Sequence, residues 1–185
     1  MALTLNGSGT IQADDITLSG NANVTGTMTS TGALSVNGVT GLADGDMPSG
    51  AVLQVVHFSD NGQETTTSTT HVATGLTANI TPSSTSSKIL ILMKAPVTNT
   101  TAAKQNNVTL YRNATDLAVG SEGMSFYYQG STTYTWCEIS MNYLDSPNTT
   151  SAITYKCYFK ARSGGTSYFG ASESSRHLTL MEIAG

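Results

Sequence analysis

The stretch Ser151-Ala152-Ile153-Thr154-Tyr155-Lys156-Cys157-Tyr158-Phe159-Lys160-Ala161-Arg162 sets the fold class. Ile153, Tyr155, Cys157 and Phe159 fall on one parity, and Thr154, Lys156, Tyr158 and Lys160 on the other. Successive side chains of a strand point to opposite faces, so this is a strand with an apolar face inward and a polar face outward. Similar β-branched and aromatic runs are predicted as strands at 51–58, 88–97, 107–112, 132–143 and 177–183, separated by Gly, Ser, Asn and Pro clusters. Residues 89–93 are apolar at every position, the pattern of a central strand covered on both faces. Asp145-Ser146-Pro147-Asn148 reads as a tight turn, with proline setting φ at the corner. No long stretch has a helical period, and residues 51–185 read as an antiparallel β-sandwich head.

Upstream the pattern changes. Gly20, Gly26, Gly32 and Gly38 are spaced six apart, each after a small polar residue. Glycine supplies the positive-φ corner of a turn-and-short-strand repeat. Each unit offers only one or two apolar residues, among them Val24, Met28, Leu34, Val36 and Leu42, too few for a private core. Such units either stack as a parallel β-helix or share a core between intertwined chains. Four repeats are short for a free-standing solenoid, which favours intertwining and makes those five residues the expected trimer core of a stalk over residues 1–46. Asp44-Gly45-Asp46-Met47-Pro48-Ser49-Gly50 closes the repeat, and residues 47–50 form a neck. Asp44 and Asp46 have the spacing of a calcium-loop start, but the later glutamate is missing, and linker carboxylates are the better reading.

Composition narrows the function. The 185 residues include 30 Thr and 22 Ser, with 11% charged residues and a net charge of −4. A general nucleic-acid binder would be basic. The longest apolar run is five residues, against the ~20 of a membrane span, and no charged-then-apolar leader follows Met1, so synthesis in a cytoplasm is expected. The charge is lopsided. Residues 1–87 hold Asp14, Asp15, Asp44, Asp46, Asp60 and Glu64 and no Lys or Arg, whereas all eight bases lie from Lys88 onward. Eleven of thirteen aromatics follow residue 120. A small-residue stalk before a packed domain accounts for this. An acidic surface that docks on a basic partner, with Asp14, Asp15, Asp44 and Asp46 as the docking acids, is the sharper alternative.

The order Ala51-Val52-Leu53-Gln54-Val55-Val56, Thr74-Gly75-Leu76-Thr77, Ile80-Thr81-Pro82 and Ser87-Lys88-Ile89-Leu90-Ile91 carries a resemblance. It continues through Leu110-Tyr111-Arg112, Leu144-Asp145-Ser146-Pro147-Asn148-Thr149-Thr150, Thr154-Tyr155-Lys156 and the closing Leu178-Thr179-Leu180-Met181-Glu182-Ile183. Together these resemble the head domain of bacteriophage fibres and capsid decoration proteins, a trimeric jelly roll similar to the tumour-necrosis-factor fold. The match covers about residues 50–185, and the Gly-hexad segment is similar to the intertwined β shafts of the same virion proteins. The resemblance implies a homotrimer and a virion location.

His57, His71 and His177 lack metal-ligand spacing and read as surface or strand histidines. Cys137 is in phase with Ile139 and Met141, and Cys157 with Tyr155 and Phe159, so both are expected buried and reduced, on strands sent to facing sheets. Gly164-Gly165-Thr166 is a turn, no phosphate loop occurs, and Glu122 stands as an isolated acid. Seven Asn-x-Ser/Thr sites (Asn6, Asn23, Asn79, Asn99, Asn107, Asn113, Asn148) read as compositional. No cofactor or metal is implied. The aromatics Phe126, Tyr127, Tyr128, Tyr134 and Trp136 are the expected interface or ligand group, since Trp136 shares a face with Glu138, away from the core. The expected function is a non-enzymatic homotrimeric decoration (cement) protein on the capsid exterior, holding the major capsid protein through its amino-terminal region. The alternative is a tail-fibre or spike-tip adhesin that binds a host surface glycan.

Overall fold

The computed structural model describes residues 47–132 and 134–185. The expected stalk core (Val24, Met28, Leu34, Val36, Leu42) and the acids Asp14, Asp15, Asp44 and Asp46 lie outside the described residues. Among those residues there are eleven strands and no helix. They are β1 (Val52–Asp60), β2 (Glu64–Thr66), β3 (Val72–Ile80), β4 (Lys88–Asn99), β5 (Gln105–Arg112) and β6 (Thr115–Asp116). The chain continues through β7 (Ser125–Tyr128), β8 (Cys137–Asp145), β9 (Ile153–Ala161), β10 (Ser167–Phe169) and β11 (Arg176–Ile183).

Every pairing is antiparallel. The first sheet runs β1–β11–β4–β8, and β2 and β10 prolong β1 and β11 beyond a shared interruption. The second sheet runs β3–β9–β5, with β7 and β6 end to end along the far edge of β5. The eight main strands β1, β3, β4, β5, β7, β8, β9 and β11 visit the sheets in the order first, second, first, second, second, first, second, first. That winding is the jelly roll. Pro96 sits where β4 passes the gap between β10 and β11; its carbonyl accepts from Gly170 N at 2.8 Å, and the donor it lacks falls where the ladder is already broken.

The core lies between the sheets. Ile89, Ile91, Met93, Val97, Leu178 and Leu180 face Leu76, Val108, Leu110, Ile153, Tyr155 and Phe159, all at most 2% exposed. Each such side chain contributes roughly 1.5–3 kcal/mol of burial. Phe169 of the first sheet meets Phe159 of the second with ring centroids 5.6 Å apart.

Three buried charged groups tie the loops to this core. Arg176, 3% exposed, donates to Asp60 and Glu64 across the β1–β2 corner. Asp145 accepts from Arg112 at 3.0 Å and from the Tyr155 hydroxyl at 2.6 Å. Glu182 accepts from Ser83 N at 2.7 Å and from Gln54. Burial raises the Glu182 carboxyl, but the bonds from Ser83 and Gln54 outweigh it and hold it below the usual range. At the neck, Gly50 N donates to Ala184 O and Ala184 N to Ala51 O, both at 2.8 Å.

Several sequence expectations need correction. The segment at 132–143 becomes strand only at Cys137, because Gln129 donates to Thr132 O at 2.6 Å and Tyr134 turns to a φ of 57°. Strands β2, β3, β6, β7 and β10 were not expected; four of them are only two to four residues long. The turn at Asp145-Ser146-Pro147-Asn148, by contrast, carries the chain between facing sheets as expected, since β8 pairs with β4 and β9 with β3 and β5. β4 is central, but it is covered on one face only: Ile89, Ile91 and Met93 are buried while Leu92 is 38% exposed. The sandwich has two layers, and no element of the described chain lies over the outer face of the first sheet at Leu90 and Leu92.

Candidate functional site

On the outer face of the second sheet, the middle of β5 is closed by the chain itself. Asn107 and Thr109 point away from the core yet have no exposure. Asn107 Nδ2 donates to Glu122 O at 2.6 Å and Oε2 at 2.9 Å, and Thr109 Oγ1 donates to Asp116 Oδ1 at 2.7 Å. Lys160 Nζ donates to Ser121 O at 2.7 Å, and Arg162 Nε lies 2.8 Å from Glu122 Oε2. Glu122 is therefore not the isolated acid of the sequence reading; it fastens the β6–β7 segment onto the sheet. His71 lies beneath that segment, 3.9 Å from Asp116, with Nε2 buried and without a partner. Burial, and next the charge of Lys160, push its pKa below the ordinary histidine value.

The outer face of the first sheet is different. Strand registers place Val55 opposite Met181, Met181 opposite Leu90, and Leu90 opposite Leu144. One apolar row therefore crosses all four strands, with Val55 55% and Leu144 51% exposed at its ends and Leu92 beside it. Next to the row, a groove of about 420 Å³ is lined by His57, Leu92, Lys94, Asn142, His177 and Thr179. The rings of His57 and His177, 120 positions apart in sequence, stack at 5.6 Å because β1 and β11 are paired. His57 Nδ1 and Thr179 Oγ1 are 2.8 Å apart.

A third surface gathers aromatic rings. Of the five expected residues, Tyr127 packs against the core, and Phe126 and Tyr128 stand exposed on β7 of the second sheet. Only Tyr134 and Trp136 meet at one place, and the ring that joins them is Tyr168, which the sequence reading missed. Tyr168 lies 6.1 Å from each, edge-on to Trp136. Its signal is faint: β10 has three residues, alternating Phe169 inward with Tyr168 outward. The β7–β8 loop that carries the other two rings is pinned. Thr98 Oγ1 donates to Thr135 O at 2.9 Å, Tyr134 N donates to Asn99 O at 3.3 Å, and the buried Gln129 holds Thr132.

The two cysteines are free and on different sheets. Cys157 is fully buried, and burial pushes its thiol far above the ordinary range. Cys137, expected buried, is only half-buried, because it is the first residue of β8 at the sheet end. Among the Asn-x-Ser/Thr sites, Asn99 and Asn107 are buried and bonded within the fold. Among the described residues, no three His, Cys, Asp or Glu side chains group as metal ligands.

Fold and surfaces together define an antiparallel jelly-roll domain with one open apolar sheet face. No family model matches the chain, and no curated protein matches it. Solved structures that are similar include that of infectious bursal disease virus, Gx strain, with 14% identity and a TM-score of 0.41 over 72% of this chain and 33% of that one. The VP2 subviral particle of infectious bursal disease virus is similar at 13% identity and a TM-score of 0.39, over 71% of this chain and 38% of that one. The chain thus spans only 33% and 38% of the length of those chains.

Proposed function

We propose that this chain is a non-enzymatic structural protein of a virion, a homotrimeric decoration protein whose jelly-roll heads associate through the outer face of the first sheet. The observation that carries the proposal is the apolar row Val55–Met181–Leu90–Leu144, left open by a fold that buries every comparable row on the inner faces. Contiguous exposed apolar surface with a polar rim, here Lys94, Ser140 and Asn142, is the anatomy of a protein–protein contact. Strand alternation gives the row a regular, rigid spacing on which neighbouring copies can pack around a three-fold axis. The resemblance of the sequence to fibre and decoration heads supports the same reading, with residues 1–46 as the arm that holds the major capsid protein.

Light scattering tests the association. The full chain should weigh three times its 19.3 kDa, and Leu90→Asp should reduce it to the monomer, because each copy would bring a charge into the contact. A monomeric full chain at micromolar concentration refutes it. Virion placement is tested by adding the protein to undecorated particles. The full chain should bind, and a variant lacking residues 1–46 should remain trimeric and fail to bind. Binding by the truncated protein would make the head the docking surface, and binding of both to host cells but not particles would place the protein on the tail as an adhesin.

A further inference from the structure

Beside the Trp136–Tyr168 pair lies a hollow of about 420 Å³, lined by Pro96, Trp136, Glu138, Glu173 and Ser174 among others. Ligand pockets span roughly 300–1,000 Å³, so this one is at the small end. One wall is the Trp136 ring, 41% exposed; the other is the turn before β11, closed by Ser174 N donating to Ala171 O at 3.0 Å. Neither wall belongs to the apolar row, and the aromatic rings here sit next to carboxylates and a hydroxyl.

We infer that the hollow between Trp136 and the Ala171–Ser174 turn, with Tyr168 and Tyr134 as its outer platform, is a binding site for a neutral pyranose sugar. A pyranose presents two surfaces at once: a C–H face that packs on the electron-rich face of an aromatic ring, and a rim of hydroxyls that donate to carboxylates. Trp136, with Tyr168 edge-on against it at 6.1 Å, supplies the first; Glu138, Glu173 and Ser174 supply the second. The rings are held ready. Tyr134 is fixed in a left-handed backbone conformation by its bond to Asn99, and the loop by Thr98, so little ordering entropy remains to be lost on binding. Glu138 is kept in place by Lys94 at 3.1 Å, while Glu173 adds a negative charge on the other wall. That charge disfavours sialic and uronic acids. The inference rests on this geometry and stands or falls separately from the trimer and from the place of the protein on a particle.

Trp136 is the only tryptophan of the chain, so its fluorescence reports this site alone. The full-length protein is titrated with maltotriose, chitotriose and lactose, and with sialyllactose as the anionic control. At least one neutral sugar should give a saturable change, weakened tenfold or more in Tyr168→Ala and unaltered in Phe126→Ala, with no response to sialyllactose. Tyr134→Ala, checked for fold by circular dichroism, provides a second variant should Tyr168→Ala misfold, and it too should weaken binding. The inference is overturned if no neutral sugar gives a saturable change at millimolar concentration, if the Tyr variants bind as the parent does, or if sialyllactose binds equally. It is also overturned if Trp136→Ala lowers the oligomer mass in light scattering, which would make the platform a subunit contact.

Discussion

Replacing Arg176 with methionine removes a buried cation and keeps most of its aliphatic volume. In the native head the guanidinium donates to Asp60 and Glu64 and lies 5.6 Å over the Phe169 ring. The side chain is 3% exposed, and its two partners are 32% and 30% exposed. Breaking a buried pair by removing one partner costs about 3–5 kcal/mol, since the remaining charge is stranded. Here the carboxylates recover some hydration, which places the loss near the lower end, ~3 kcal/mol. For a chain of this size each kcal/mol moves Tm by about 2–4 °C, so a fall of roughly 6–12 °C is expected by calorimetry at fixed protein concentration. The charge-removing triple variant Arg176→Met, Asp60→Asn, Glu64→Gln should recover much of that loss. The pH dependence has a definite sign. The hydrogen bond from Arg176 is the main cause holding the Asp60 carboxyl below its usual pKa. Its stabilisation is complete above the unfolded value of about 3.9 and is lost as pH falls through the lower folded one. The gap between parent and Arg176→Met should therefore narrow in strong acid. A single variant and a triple variant of equal stability would refute stranded charge as the source.

Two further outcomes follow from backbone geometry and burial. Gly170 has a φ of +82°, and a Cβ there would lie 2.0 Å from Gly62 O, whereas Gly50, at +88°, has nothing within 4 Å. Gly170→Ala should cost well over the ~1 kcal/mol expected of Gly50→Ala in urea unfolding, and equal costs would show that the β1–β2 corner yields freely. A maleimide should label Cys137 in the folded protein and Cys157 only after denaturation; labelling of both at one rate in the native state would contradict the burial of β9.

What the sequence made legible was what local periodicity encodes. The alternation at 151–162 places Ile153, Tyr155, Cys157 and Phe159 in the core as they are found, and the same parity puts Trp136 outside. Residues 89–93 misled because periodicity cannot distinguish a face covered by another layer from a face left open; Leu90 and Leu92 look like core and are surface. Strands of two to four residues carry too few positions for a period, which hid β10 and, with it, Tyr168. The Arg176 cluster joins residues 116 positions apart, and Asp60 and Glu64 looked like members of an acidic amino-terminal half until the fold gave them an internal partner. The stalk residues and the four docking acids lie outside the described residues, and their roles remain those proposed from the sequence.

The pairing of β1 with β11 also has a consequence for the order of events during synthesis. Val52 finds its partner only when Ile183 has been made, and β4 must wait for both of its neighbours, β8 and β11. A nascent head therefore carries unpaired strand edges, with Ile89, Ile91 and Met93 unshielded, until its last strand leaves the ribosome. Closure of such distant pairs is slow compared with local hairpins, and open edges in that interval invite pairing with a neighbouring chain. On a polysome the neighbours are nascent copies of the same protein, so strand exchange between heads is the misfolding route this topology must outrun, and a slower translation of the stretch from β9 to β11 would widen the window for it.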